Sequence, residues 1–214
     1  MIFPPNYSAA ILCGGLSRRM GGDKAFLRDS AGQLLLATLA RTLSAWFEET
    51  RLITDRPAKL TPWPELNYPI EGDRYPRSGP VGAILTALQA RPGQTFFALA
   101  GDQPSLDLEL LQRLRERLER RQADLALPRL PTGIEPLHAF YGPGCAPVFA
   151  ASLAQGRRAI RESFPALKVA YLDLSPEDLP PGMFKNLNTP QEAQEMGYSL
   201  DAKLPQVCEV KTRL

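Results

Sequence analysis

The 214-residue chain is 44% hydrophobic and 22% charged, with a formal net charge of +2 at pH 7. That is enough apolar material for a full core, and 21 Pro with 16 Gly stays below the level of a low-complexity chain. A charge so close to neutral argues against a protein that coats nucleic acid or a membrane surface.

The cysteines, Cys13, Cys145 and Cys208, are odd in number and far apart, and His138 is the single histidine. Without a CxxC pair or a ligand cluster, neither a zinc site nor a disulfide framework is expected. Ala9–Cys13 faintly resembles a lipoprotein cleavage site, but no basic segment precedes it and bulky Leu12 sits where a small residue is needed. No apolar run is long enough to span a bilayer. The expectation is a soluble, cytoplasmic protein.

In chain order, Ser8–Cys13 reads as a short buried strand stopped by Gly14 and Gly15. A polar loop with Arg18, Arg19, Gly21, Gly22, Asp23 and Lys24 follows. Glycines let backbone N–H groups approach an anion, and fixed cations neutralise it, so this loop is a candidate phosphate site. Leu36, Leu39, Ala40, Leu43 and Phe47 share one face of a helix over 34–47, and Arg51–Thr54 is a second strand. Strand, helix and strand at this spacing predict a parallel βαβ unit. The stretch 57–69 is broken by prolines and surface-like.

A glycine- and proline-rich loop, 71–82, carries Asp73 and leads into a helix over 81–89. Thr95–Pro104 is the clearest central strand, and it ends in Gly101 and Asp102. Acidic residues just past the carboxyl end of a parallel strand lie where open α/β sheets place their ligands. A helix over 108–121 follows, with Asp107 as its expected N-cap and a solvated face of interleaved charges. Strands at 123–128 and 137–141 are separated by so short a turn that one is expected to run antiparallel. Helices at 147–154 and 158–164, a strand at 168–174, an asparagine turn and a helix over 191–196 complete the pattern, and 199–214 reads as a tail.

The loop spacing separates the phosphate chemistries. Asp23 interrupts a Walker A pattern and Ala25 supplies no hydroxyl after Lys24. The glycine pairs miss G-x-G-x-x-G, and Asp55 at the end of the second strand is weak evidence for a dinucleotide site. No G-x-S-x-G or Cys–His pair supports covalent hydrolysis.

The segment L-C-G-G-L-S-R-R-M-G-G-D-K, Leu12 to Lys24, resembles the signature of the molybdenum cofactor guanylyltransferases, within the wider nucleotidyltransferase family. Three further segments match in order: D-R-Y-P-R-S-G-P-V-G, L-A-G-D-Q-P and F-K-N-L-N-T-P. Cys13 stands where alanine is usual, and the stretch after Arg51 matches poorly, with Thr54 near the place of a family asparagine. The expected fold is a single-domain, Rossmann-like three-layer αβα sandwich, mostly parallel with an antiparallel strand. It would place a nucleotidyltransferase domain over 1–198 and a tail over 199–214.

The resemblance implies GMP transfer from GTP to the terminal phosphate of molybdopterin, usually molybdenum-loaded, with release of pyrophosphate. It implies Mg²⁺ as cofactor, and molybdenum-insertion and molybdoenzyme-maturation proteins as candidate partners, with no nucleic acid and no membrane. Backbone groups of Leu12, Cys13 and Gly14 would meet guanine, and Gly15 to Gly22 would wrap the phosphates. Arg19 and Lys24 would offset phosphate charge, Asp102 would hold the metal, Asp73 would support nucleotide or metal, and Asn188, or else Asn186, would complete the site. Plainer readings stand beside these: Asp102 or the asparagines as helix caps, Asp73 as a turn residue, His138 as packing, Arg18 as solvent-facing. Arg157 and Arg158 meet the acidic pterin on a charge argument alone. A cytidylyltransferase, a sugar-phosphate nucleotidyltransferase and a non-catalytic GTP-binding adaptor are the competing functions.

Overall fold

The computed structural model describes residues 2–15, 17 and 19–200. Its centre is a mixed sheet built around strand β1, Tyr7–Leu12. A small separate ribbon begins with β2, Leu27–Asp29, directly after the glycine loop. Helix α1, Leu35–Trp46, carries the chain back to β3, Thr50–Thr54, which pairs parallel to β1 as the βαβ reading requires. The proline-broken stretch forms α2, Pro57–Leu60, with proline at its start, and then reaches β4, Ile70–Gly72.

Helix α3, Gly79–Ala90, leads to β5, Thr95–Ala100, which is buried throughout. After α4, Leu108–Arg121, come β6, Leu125–Leu130, the two-residue β7, Gly133–Ile134, and β8, His138–Tyr141. Helix α5, Cys145–Ala154, strand β9, Val169–Asp173, helix α6, Pro190–Glu195, and β10, Tyr198–Leu200, complete the described chain.

The strands run in the order β4-β3-β1-β5-β8-β6-β7, with β9 also pairing β6. Strand β8 is antiparallel to both β5 and β6, while β6 and β9 are parallel. The reversed strand anticipated from the short 123–141 connection is therefore β8. Side chains alternate between faces. Ala9, Ile11, Phe97, Leu99 and Phe140 pack with α1 and α4, whereas Ala10, Phe96, Ala98, Ala139 and Tyr141 pack with α3 and α5. Helices thus cover both faces, giving the three-layer αβα architecture.

The registry aligns the strand ends. Leu12 lies beside Ile53 of β3 and Ala100 of β5, and Thr54 lies beside Gly72 of β4. One edge of the sheet therefore gathers the starts of four loops, carrying Cys13, Asp55, Asp73 and Asp102. Gly101 permits the close approach of two of them. A Cβ there would lie 2.9 Å from Leu36 Cδ2, 3.1 Å from Cys13 Cβ and 3.3 Å from the Leu12 carbonyl oxygen.

Two expectations need correction. Ser199 and Leu200 are not tail: β10 pairs antiparallel with β2, joining the end of the described chain to the residues just after the glycine loop. Strands this short carry too few residues for alternation to register in sequence. The segment expected as a helix over 158–164 is a 3-10 turn, Ile160–Ala166, containing Pro165, whose missing N–H and fixed ring oppose a continued α-helix. Residues 201–214, with Cys208, lie outside the described residues, as does Arg18. Among the described residues no helix is long and apolar enough to cross a membrane.

Candidate active site

At the carboxyl ends of β1 and β5 a cavity of about 330 Å³ opens to solvent. Of the candidate residues, Leu12, Cys13, Gly14, Gly15, Arg19, Lys24, Asp102 and Asn188 all line it, and Asp73 does not. Leu36 and Leu137 add apolar surface.

The strand and its neighbours fix the first part of the loop. Cys13 N–H donates to the Ile53 carbonyl and Gly101 N–H to the Leu12 carbonyl, each at 2.9 Å. Gly15 then turns at φ +115°, a conformation side chains rarely adopt. Buried Met20 anchors the loop, and Arg19 stands exposed at the cavity rim. Ser17 Oγ accepts from the Lys24 N–H at 3.3 Å. Asp23 accepts from Ala25 N–H and starts the 3-10 turn Lys24–Phe26, whose buried Ala25 and Phe26 aim Lys24 inward.

Lys24 is the meeting point of three distant segments. Its Nζ donates to Asp102 Oδ2 at 2.6 Å and to Asn188 Oδ1 at 2.7 Å. The Lys24 and Asp102 side chains are 19% and 21% exposed, so the pair is partly desolvated yet open to an entering ligand. An anion entering the cavity meets a lysine whose charge is already localised by two oxygens.

The helix-cap readings are resolved by who does the capping. Asp107 caps α4, accepting from Leu110 N–H at 2.8 Å, which leaves Asp102 free for Lys24. Thr189 caps α6, while the Glu192 carboxylate accepts from the Asn188 and Thr189 N–H groups at 2.8 and 2.9 Å. The Asn188 side chain is thereby spared for the cavity, and it is Asn188 rather than Asn186 that lines it. Asp73 is spent locally. Its Oδ1 accepts from Tyr75 N–H at 2.8 Å and from Thr86 Oγ1 at 3.2 Å, closing the turn ahead of α3.

Two groups are chemically muted. Burial, with the Asp23 and Asp55 carboxylates adding, pushes the Cys13 thiol up to about 12, so it stays neutral and is no nucleophile. Burial pushes His138 down to about 3, leaving a neutral imidazole between the Phe97 and Phe184 rings. Arg157 and Arg158 are exposed and do not line the cavity.

In the sequence Arg56 has no place in the site, and Ser17 enters it only as part of the loop from Gly15 to Gly22. Arg56 Nη2 donates to the Gly15 carbonyl at 2.7 Å and pairs with Asp23 Oδ2 at 3.1 Å, while Lys59 reaches the same carboxylate at 3.4 Å. Nothing in the spacing of the chain links residue 56 to residue 15; only the parallel pairing of β1 and β3 brings them together.

The MobA-like NTP transferase domain model matches residues 9–169, a span that includes both the glycine loop and Asp102. The chain belongs to the MobA-like NTP transferase family. Among its relatives, a probable molybdenum cofactor guanylyltransferase from Synechococcus elongatus is 34% identical over 91% of this chain and 100% of its own length. A molybdenum cofactor guanylyltransferase from Shewanella frigidimarina is 30% identical, covering 92% of this chain and 98% of its own. In fold, the chain is similar to molybdopterin-guanine dinucleotide biosynthesis protein A from Archaeoglobus fulgidus, with a TM-score of 0.76 at 24% identity, over 89% of this chain and 96% of that one. The matched span holds every candidate residue that lines the cavity except Asn188, which lies beyond it.

Proposed function

We infer that this chain transfers GMP from GTP to the terminal phosphate of molybdopterin or its molybdenum-bound form, yielding the guanine dinucleotide cofactor and pyrophosphate. The carrying observation is Lys24 held between Asp102 and Asn188 at the base of the glycine loop. The names of the two guanylyltransferase relatives supply the substrate class.

A phosphate oxygen of the acceptor attacks the α-phosphorus of GTP. The bond from that phosphorus to the α–β bridging oxygen breaks, and pyrophosphate leaves with the electron pair. No covalent enzyme intermediate is needed, so positioning and charge neutralisation carry the catalysis. With the Cys13 N–H and the Leu12 carbonyl paired inside the sheet, the remaining backbone groups of Leu12, Cys13 and Gly14 would meet the base, and the loop from Gly15 to Gly22 would wrap the phosphates. Lys24 and Arg19 offset the charge on the α-phosphate and the departing pyrophosphate. Asn188 keeps Lys24 directed into the cavity.

Mg²⁺ is the proposed cofactor. Among the described residues no three His, Cys, Asp or Glu side chains converge to hold a metal. Asp102 fits a hard cation that takes one carboxylate and completes its shell with phosphate oxygens and water. When bound, the ion supplies further neutralisation of phosphate charge. Asp73 flanks this edge of the sheet, and with Oδ1 committed to its turn, Oδ2 is the oxygen left for nucleotide or metal-bound water. GTP as donor fits a cytoplasmic reaction, with cofactor-insertion and enzyme-maturation proteins as the partners for delivery.

The test is pyrophosphate release by purified protein with molybdopterin, Mg²⁺ and either GTP, CTP or ATP. Release with GTP alone is expected. Vigorous turnover with CTP and none with GTP would replace the guanylyl reading by a cytidylyl one, and tight GTP binding without any release would favour a delivery adaptor.

A further inference from the structure

Four described non-glycine residues adopt left-handed φ: Ser17, Arg77, Gln122 and Phe184. Gln122 ends helix α4, and Ser17 and Arg77 lie in polar loops. Phe184 differs from all three. It is a bulky, buried aromatic at φ +65°, a backbone state that costs such a residue free energy and persists only where the surroundings over-determine it.

The surroundings are a chain of rings. The Phe184 ring meets the His138 imidazole edge to face, with centroids 5.1 Å apart and planes at 79°. His138 in turn meets Phe97 of β5 at 5.0 Å and 82°. Neither nitrogen of the buried His138 has a hydrogen-bond partner among the described residues, so the imidazole serves here as a ring surface fixed on strand β8. Three residues after Phe184, buried Leu187 donates its N–H to the Asp102 carbonyl at 2.9 Å. The next residue is Asn188, whose Oδ1 meets Lys24.

We propose that Phe184 is a positioning residue for this site: its ring, seated on His138, holds the strained start of the 184–188 segment and so delivers the Asn188 carboxamide to Lys24. This rests on the reading of Lys24 and Asn188 as catalytic groups. Burial of the ring offsets the cost of this φ, and the strain supports the assignment because a segment needed only to connect β9 to α6 could take the same turn without it. Glycine or asparagine would adopt it at lower cost. The ring, together with the Leu187 N–H bond to the Asp102 carbonyl, ties the loop to the sheet that also carries Asp102.

A double-mutant cycle tests this, with kcat, the KM for GTP and the melting temperature measured for Phe184→Ala, Phe184→Leu, Asn188→Ala and Phe184→Ala/Asn188→Ala. Asn188→Ala is expected to lower kcat by about 10²-fold, as for one preorganised group beside developing charge. Phe184→Ala should lower kcat by about tenfold with KM held within about twofold, and add less than about twofold to the loss already caused by Asn188→Ala. Phe184→Leu keeps apolar volume and carries the same cycle if the alanine variant fails to fold. Losses that multiply in the double variant, or wild-type kcat in both Phe184 variants, overturn the positioning role and leave the site reading intact. Wild-type kcat in Asn188→Ala overturns both.

Discussion

The two sides of the cavity are held by different physics. The glycine loop is braced by charge: Arg56 and Lys59 converge on Asp23, and Arg56 also ties down the Gly15 carbonyl. These groups are partly exposed, so each pair contributes little to stability and is weakened by salt. The 184–188 segment is braced by burial, through Phe184, His138 and Leu187, and by the capping box of α6. One side can adjust to a flexible, anionic ligand, while the other presents a fixed oxygen. Lys24 belongs to the first and is aimed by the second.

The largest effect is expected where the two meet. Lys24→Ala should lower turnover by about 10²–10³-fold, comparable with removing one stabiliser of developing charge. The melting temperature should change little, because the lost pair is partly solvated. Wild-type turnover in this variant would remove Lys24 from the chemistry and dissolve the comparison.

The buried side should show itself in pH. His138 titrates near 3 in the folded chain, against an ordinary value near 6.5. Between these values the unfolded chain binds more protons, so folding stability falls as pH is lowered through the window. The slope from this group is at most about 1.4 kcal/mol per pH unit. His138→Leu removes the term, so the variant should gain on the wild type as urea unfolding is repeated from pH 6.5 toward pH 4. A stability difference that stays constant with pH would show that the imidazole is not desolvated as described.

How much of this could be read from sequence follows the same division. The glycine loop and the Asp102 turn are local patterns, each ending a strand, and their shared edge follows from parallel pairing. Helix α4 was legible to its ends because its apolar stripe and Asp107 cap lie within one segment. Asn188 was reached through the resemblance, and what supports it was not legible. A left-handed φ at Phe184, an imidazole used as a ring surface and the pairing of β10 with β2 depend on contacts between distant segments. Arg56 was invisible for the same reason. His138 is buried and neutral, as a lone histidine in an apolar strand is expected to be. Its nitrogens are not satisfied as packing alone predicts: neither has a partner among the described residues.

The charged side can be loosened without touching Lys24. Arg56→Ala frees the Gly15 carbonyl and leaves Asp23 with Lys59 and the Ala25 N–H. We expect the KM for GTP to rise by about tenfold, on the scale of one or two charge-assisted hydrogen bonds, with kcat within about threefold. Arg56→Lys should recover part of the loss, because Nη2 alone makes both contacts and one ammonium can replace it, whereas the Nε bond to Asp55 Oδ1 at 3.3 Å is lost. An unchanged KM in both variants would mean that the loop is held without Arg56, by its strand, Met20 and the contacts of Asp23 with Lys59 and Ala25.

The smallest effect is expected at Asp73, and it sharpens the contrast with Asp102. Both acids follow the carboxyl ends of parallel strands, yet Asp102 gives an oxygen to a lysine in the cavity while Asp73 gives one to the Tyr75 N–H of its own turn and to the Thr86 hydroxyl of α3. Asparagine retains an acceptor for the turn at position 73 but loses the charge that Lys24 and a metal require at position 102. Asp73→Asn should therefore lower turnover by less than about tenfold, whereas Asp102→Asn should cost about 10²-fold or more and raise the Mg²⁺ concentration needed for half-maximal rate. Equal losses would mean that the bound nucleotide draws Asp73 out of its turn and into the site. An Asp102→Asn variant that unfolds instead of merely slowing would return Asp102 to a structural role.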